Sequence, residues 1–186
     1  YRNDITHGGD GVFVRALNEY VSAGNVFIEN DCSHAHNNGF EAWTPAEVYI
    51  RNRANHCSFG FWLGGSDRTV LLGNEAAHNG ARGGQANAPA PEFGHAGIIA
   101  FGGSSSHTLA DGNHCHHNGG GGLVFAGDTR DAHPAWRAYH WVVQGNRLEE
   151  NRWGLWIKRA THVDVLDNDL RGNEHADHHD DVVSLR

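Results

Sequence analysis

The chain contains no Met, only four Pro and three Cys, and fewer basic residues (14 Lys and Arg) than acidic ones (22 Asp and Glu). Each shortage excludes something. With no initiator Met, the chain reads as a processed or excised piece. No apolar run approaches the ~18 residues that a membrane-spanning helix needs, so no membrane span is expected, and no signal peptide is expected to remain on the processed piece. No long stretch places apolar residues three and four apart, which removes helical repeats. A net charge of −8 argues against a nucleic-acid backbone as partner. With 186 residues and 20.3 kDa, residues 1–186 are expected to form a single domain.

What the chain does have is a beat. Asn3, Asn30, Asn52, Asn74, Asn113, Asn146 and Asn168 each begin a similar phrase. Asn30 to Asn52, Asn52 to Asn74 and Asn146 to Asn168 are each 22 residues apart, and the longer intervals contain insertions. A Gly follows eight or nine residues after most of these Asn (Gly11, Gly39, Gly60, Gly122, Gly154), and an insertion delays it to Gly97 in the fourth phrase. After each Gly comes a short apolar run such as "FWL", "IIAF" or "LVF". A fixed period of this size is the mark of a solenoid, and short apolar runs bounded by Gly, Asn, Asp and Ser read as strands. About three short strands and three turns fit into one period.

The pattern Asn-x-x-x-His-Asn-x-x-Gly-apolar resembles the right-handed parallel β-helix repeat family, which includes polysaccharide lyases, mannuronan epimerases, some glycoside hydrolases and NosD-type periplasmic proteins. The resemblance covers nearly the whole chain. It implies an all-β, right-handed parallel β-helix of about seven coils with an Asn ladder, here a segment of a longer β-helix. It also implies a secreted or periplasmic location. The fold hosts many functions, so activity has to come from the residues.

An Asn side chain carries donors and an acceptor, so stacked copies can bond one to the next, and Asn tolerates the backbone of tight turns. The seven Asn therefore read as a structural ladder without chemistry. Four residues after the Asn stand His7, His34, His56, His78 and His117. A turn role is the expected one for this column, with a metal role and acid–base work as alternatives. No residue is assigned as a metal ligand. The tail "NEHADHHDD", Asn173 to Asp181, reads either as a metal-holding segment or as an ordinary charged turn. Cys32 and Cys115 share a small inward slot two residues after the ladder Asn, three coils apart. That separation is roughly 14 Å at ~4.8 Å per coil, beyond disulfide reach.

Alternation along the strand after each Gly sorts core from surface. Val12, Phe40, Phe61, Ile98, Leu123 and Leu155, and then Val14, Ala42, Leu63, Ala100, Phe125 and Ile157, are all apolar and face inward. The strand before the Asn is apolar in "NVFIEN" and "EVYIRN" but departs in "LADGN" and "VVQGN", where a one-residue slip is open. The outward positions read Phe13, Glu41, Trp62, Ile99, Val124, Trp156, and then Arg15, Trp43, Gly64, Phe101, Ala126, Lys158. Exposed aromatics in a row mark a binding surface, and flat rings suit the apolar faces of sugars. The alternative is that the insertions cover these rings and make a second small core.

The insertions flank this strand, where solenoids place binding loops, and in the resembling enzymes such loops wall a substrate groove. They bring Glu92, His95, Asp128, Asp131, His133 and Arg137 toward Glu41, Arg15 and Lys158. A uronate lyase needs a base, for which His95 or Lys158 would serve, and a cation such as Arg15 or Arg137 to neutralise the carboxylate. A hydrolase needs two carboxyls, which Glu41 with Glu92 or Asp128 would supply. Phe13, Trp43 and Trp62 as neighbours would suit Glu41 to act as a general acid. The epimerase signature Asp-Pro-His is absent. The expected catalytic set is thus Glu41, His95, Glu92, Asp128 and Lys158. The expected substrate-binding set is Arg15, Trp43, Trp62, Phe101, Arg137 and Trp156, and the expected partner is an acidic polysaccharide or oligosaccharide. No cofactor is fixed by these residues, and a divalent cation such as calcium stays open. The competing classes are a NosD-like metal-maturation protein and a structural or adhesive β-helix.

Overall fold

The computed structural model describes residues 1–80, 93–101, 105–127, 138–158 and 160–180. Glu92, Asp128, Asp131, His133 and Arg137 lie outside the described residues. The first eight strands are β1 (Val12–Val14), β2 (Val26–Ile28), β3 (Asn38–Ala42), β4 (Val48–Ile50), β5 (Phe59–Leu63), β6 (Val70–Leu72), β7 (Glu75–Ala77) and β8 (Ile98–Phe101). The others are β9 (Ser105–Asp111), β10 (His114–His116), β11 (Gly121–Gly127), β12 (Ala138–Gln144), β13 (Arg147–Glu149), β14 (Trp153–Ile157), β15 (Ala160–Leu166) and β16 (Ala176–Asp180). No helix among the described residues is long and apolar enough to cross a membrane.

The strands sort into three sheets. The seven-stranded sheet has the order β1-β3-β5-β8-β11-β14-β16, the six-stranded one β15-β12-β9-β6-β4-β2, and the three-stranded one β13-β10-β7. Each strand pairs in parallel with its counterpart one coil away. Parallel bridges Asp4–Asp31, Asp31–Arg53, Arg53–Glu75 and Arg147–Asp169 extend the smallest sheet. Three parallel sheets wound around one interior make a parallel β-helix, which the Asn spacing predicts.

Each coil turns three corners, and each corner needs a left-handed backbone. The residue before the ladder Asn takes φ of +49° to +64° (Arg2, Glu29, Arg51, Gly73, Gly112, Gly145, Asp167). A left-handed residue interrupts strand pairing and leaves the next peptide N–H without a ladder partner. The Asn amide supplies one. The backbone N–H and Nδ2 of Asn52 both donate to Asn74 Oδ1, at 2.9 and 3.1 Å. Asn74 repeats this onto Asn113 Oδ1 at 3.0 and 2.9 Å. The same paired bonds join Asn3, Asn30, Asn52, Asn74, Asn113, Asn146 and Asn168 without a break. A second ladder, absent from the sequence reading, runs through Asn79, Asn118, Asn151 and Asn173. Its upper end is Cys57, whose backbone N–H donates to Asn79 Oδ1 at 2.9 Å.

The Gly column has a packing cause. A Cβ at Gly60 would lie 2.4 Å from the Gly97 carbonyl oxygen and 2.8 Å from the Ala76 Cβ. The neighbouring coil and the small inward residue occupy that space, so only hydrogen fits. Ala54, Ala76, Cys32 and Cys115 are small for the same reason and fully covered. All three Cys are free thiols. Burial, with Cys57 and Asp31 adding, pushes the Cys32 thiol up to about 12, so it packs as a small hydrophobe.

The inward columns pair as expected, Phe40 with Phe61 and Ala42 with Leu63, then Phe61 with Ile98. The Phe40 and Phe61 rings stack at 4.9 Å. Covering each large side chain contributes roughly 1.5–3 kcal/mol. The open question in "LADGN" and "VVQGN" resolves without a slip. Leu71, Ala110, Val143 and Val165 form one inward column, and polar Asp111 and Gln144 point outward.

Asn74→Ala removes one acceptor and strands several buried polar groups, since Asn74 Nδ2 also donates to the Tyr49 carbonyl. A loss of at least ~2 kcal/mol is expected in urea unfolding, because each buried unpaired group costs ~1–3 kcal/mol.

Candidate functional site

The His column occupies a second left-handed corner. His7, His34, His56, His78 and His117 have φ of +54° to +64°, and Glu150 and Gly172 continue the column at +54° and +74°. His is one of the few residue types enriched in this conformation. The first four rings form a stack, with centroids 4.8 to 4.9 Å apart and planes within 13° of parallel. The third corner carries His107, His140 and His162, also left-handed and 4.8 to 5.0 Å apart. This column escaped the sequence reading, although a constant offset of six residues before the ladder Asn would have exposed it. Among the described residues, eight of the chain's sixteen His thus stand at left-handed corners, which makes backbone geometry a main reason for the His richness.

The outer face of the seven-stranded sheet divides into a covered and an open part. Phe59, Phe93, Ala96, Ile99, Val124, Ala126 and Trp156 form a second buried cluster, with Trp62, Phe101 and Trp153 half-buried beside it. Phe93 packs on Trp156 at 5.2 Å. Trp156 is only 2 % exposed, so its place among the open aromatic rings is corrected: its ring is a core element. His95 is buried in the same region, with its ring against Gly80 and 5.0 Å from Phe59. Burial lowers its pKa, a hydrogen bond involving the Ser58 backbone raises it, and burial dominates. Its Nδ1 has no hydrogen-bond partner among the described residues. His95 is therefore a neutral base under cover, not one on the open sheet.

The open part lies over β1, β3 and β5. Phe13 is 44 % exposed and Trp43 38 %. The Arg15 guanidinium sits over the Phe13 ring at 5.7 Å. Glu41 pairs with Phe13 on one side and Trp62 on the other. Both its oxygens accept hydrogen bonds, Oε2 from Asn38 Nδ2 and Oε1 from Trp43 Nε1, each at 2.6 Å. The expected neighbours Phe13, Trp43 and Trp62 are thus in place, and the Asn38 amide joins them as a polar donor. Asn38 also donates its backbone N–H to Asp10 Oδ1 at 3.0 Å. Asp10 and Glu41 are thus two carboxylates joined through one buried Asn, and the sequence reading missed Asp10 and Asn38.

Trp43 is held in place from two sides. Its N–H is bound to Glu41, and its ring rests on Gly64 of the next coil, where a Cβ would lie 2.9 Å from Cζ3. Trp62 meets Phe59 and Phe101 edge-on, at 4.9 and 5.1 Å. Next to Phe13 and Arg15 a cleft of about 530 Å³ opens, lined also by Leu17, Ser22, Asn25 and Phe27. Tyr20, in the insertion after β1, is 82 % exposed beside it.

Lys158 stands over the Trp156 ring at 5.5 Å. Strand β14 is four strands from β3, roughly 19 Å at ~4.8 Å per step. Glu41 and Lys158 therefore do not share one reacting centre, whereas Glu41, Arg15, Trp43 and Trp62 do lie together. Of the tail His, His178 and His179 are in strand β16 and His175 stands just before it; His179 stacks on Trp156 at 5.7 Å. The acidic and basic residues of the three-stranded face pair across coils, as in Asp31–Arg53–Glu75 at 3.5 and 3.6 Å. Such exposed pairs are worth little each and mark a solvated wall.

A family model described as "Right handed beta helix region" matches residues 1–178. No curated protein and no solved structure matches the chain.

The His stack makes stability depend on pH. Burial first, then His34 and His78, hold the His56 imidazole below its ordinary value of 6.5. A group depressed in the folded state favours folding fully above 6.5, and this contribution is lost as pH falls through the folded value. The melting temperature is expected to fall between about pH 7 and about pH 5, and His56→Asn, which keeps the left-handed corner, should flatten that slope. Thermal melts of the two proteins across this window check it.

Proposed function

The chain belongs to the right-handed β-helix family, and from that premise we propose that it binds an acidic oligosaccharide on the open face of the seven-stranded sheet, over β1, β3 and β5. The observation that carries the reading is the fixed Trp43 ring, locked by Glu41 and Gly64 yet exposed. A preset aromatic platform loses little freedom when a sugar stacks on it. Phe13, Trp62 and Phe101 extend the platform across neighbouring coils, so a polymer runs along the helix axis. Arg15 meets its carboxylates, a strong contact when partly shielded from water.

Processing of the bound glycan, by elimination or hydrolysis, then falls to Glu41, with Asp10 as the second carboxylate. A secreted or periplasmic location fits a polymer substrate of this kind.

Isothermal titration with uronate oligosaccharides tests the proposal. Trp43→Ala and Trp62→Ala should each weaken binding by at least ~1 kcal/mol, the lower end for losing an aromatic anchor. Trp156→Ala should instead cost ~3–5 kcal/mol of stability, as expected for a large cavity in a buried cluster. Glu41→Gln should keep most binding and abolish turnover. Unchanged affinity in a folded Trp43→Ala protein would refute the platform.

A further inference from the structure

The His column does not stay a simple stack. From His7 to His78 successive planes lie within 13° of one another, and their nitrogens sit side by side without converging. At the next step His117 tilts by 30° from His78. His116, from the end of β10, comes in edge-on, at 78° to His78 and 81° to His117. Ligand nitrogens of His78, His116 and His117 then lie within 4.8 Å of one another. Among the described residues no other group of three His, Cys, Asp or Glu does this.

We propose that His78, His116 and His117 bind one divalent late-transition-metal ion, zinc foremost, with an open coordination position toward solvent. His116 Nδ1 and His117 Nδ1 are 2.8 Å apart. Two imidazole nitrogens on one ion, each ~2.0–2.1 Å from it, sit ~3–3.4 Å apart, so these two rings need only a small parting to admit the ion. Without metal, one of the two Nδ1 atoms must carry the proton of their contact. Binding moves that proton to the far nitrogen of its ring or to solvent, and leaves two lone pairs facing the ion.

The surroundings supply what metal-bound imidazoles use. Glu150 Oε2 lies 2.8 Å from His117 Nε2. A carboxylate there holds the proton on Nε2 and turns the Nδ1 lone pair inward, the carboxylate–histidine–metal arrangement. Behind His116, the His114 ring lies 4.2 Å away, and its Nε2 is tied to Glu149 at 2.9 Å. Ala77, beside His116 one coil away, is too small to crowd it. A cleft of about 420 Å³ borders His78, His117 and Glu150. Three protein ligands with a free position facing a cleft is the layout of an accessible zinc site, in which water or a ligand anion completes the shell. Imidazole donors suit zinc, copper and nickel over calcium or magnesium.

Titration of the purified whole chain with zinc chloride, against a chromophoric chelator, decides the matter. One zinc per chain is expected. His116→Ala and His78→Asn should each lower zinc affinity at least ~100-fold, and Glu150→Gln at least ~10-fold, as for loss of a carboxylate that orients a ligand imidazole. His107→Asn, at the other His corner, should leave affinity within threefold. NMR of the unaltered protein gives a readout free of folding defects: zinc should shift the imidazole nitrogens of His78, His116 and His117 and leave His107, His140 and His162 in place. Absence of stoichiometric binding, equal losses in His107→Asn and His116→Ala, or shifts centred on the other column would overturn the proposal.

Discussion

The structure depends on one interaction, the acceptance of two hydrogen bonds by each Asn Oδ1 from the amide and backbone N–H of the Asn one coil earlier. A β-coil must turn, and its corners here use left-handed residues that break the ladder of peptide hydrogen bonds. An interior N–H left open at a corner would cost more than the turn returns. The Asn amide closes that gap and sets the coil spacing at the same time, because its reach matches the separation of neighbouring strands. The close Gly column and the small Ala and Cys slots follow from that spacing, since they stand where two coils approach most tightly.

The three left-handed corners also govern where His occurs. His tolerates the conformation, and its flat ring stacks on its copy one coil away, so a backbone requirement becomes a column of imidazoles. Two such columns line different edges of the helix. In one of them the stack gives way at His78 and His117, where His116 enters from the adjoining strand. A structural device then places nitrogens close enough to share an ion. The same economy appears at Trp43: Gly64, which has no side chain to obstruct it, provides the seat for a ring that Glu41 already holds by its N–H.

Alternation in a strand decides which residues leave the core, but not what happens to them outside it. Ile99, Val124 and Trp156 point outward by alternation and are buried nonetheless, because Phe93 and Ala96 of the insertion fold over them. Phe13 and Trp43 have no such cover among the described residues. The outer sheet therefore carries a second core over its later strands and an open, aromatic and charged strip over its earlier ones. That division limits a binding surface to the side bearing Glu41 and Arg15, and separates Lys158 from it by several coils.

The sequence by itself determined the coil: the Asn period, the Gly slots and the inward apolar columns are local requirements of one repeated backbone, so each repeat states them again. The stacked first His column was legible for the same reason. What only the tertiary structure decided is everything that joins different repeats without a fixed offset. The covering of Trp156 depends on an insertion that occurs once. The tie between Asp10 and Glu41 runs through Asn38, across two coils whose sequence separation is not the common period. The convergence of His78 and His116 brings together a corner and a strand that lie on either side of the longest insertion. A repeat shows in sequence because its contacts recur at a constant spacing. A site made once, by side chains meeting across coils, has no period to show, and its distances are set only when the coils are stacked.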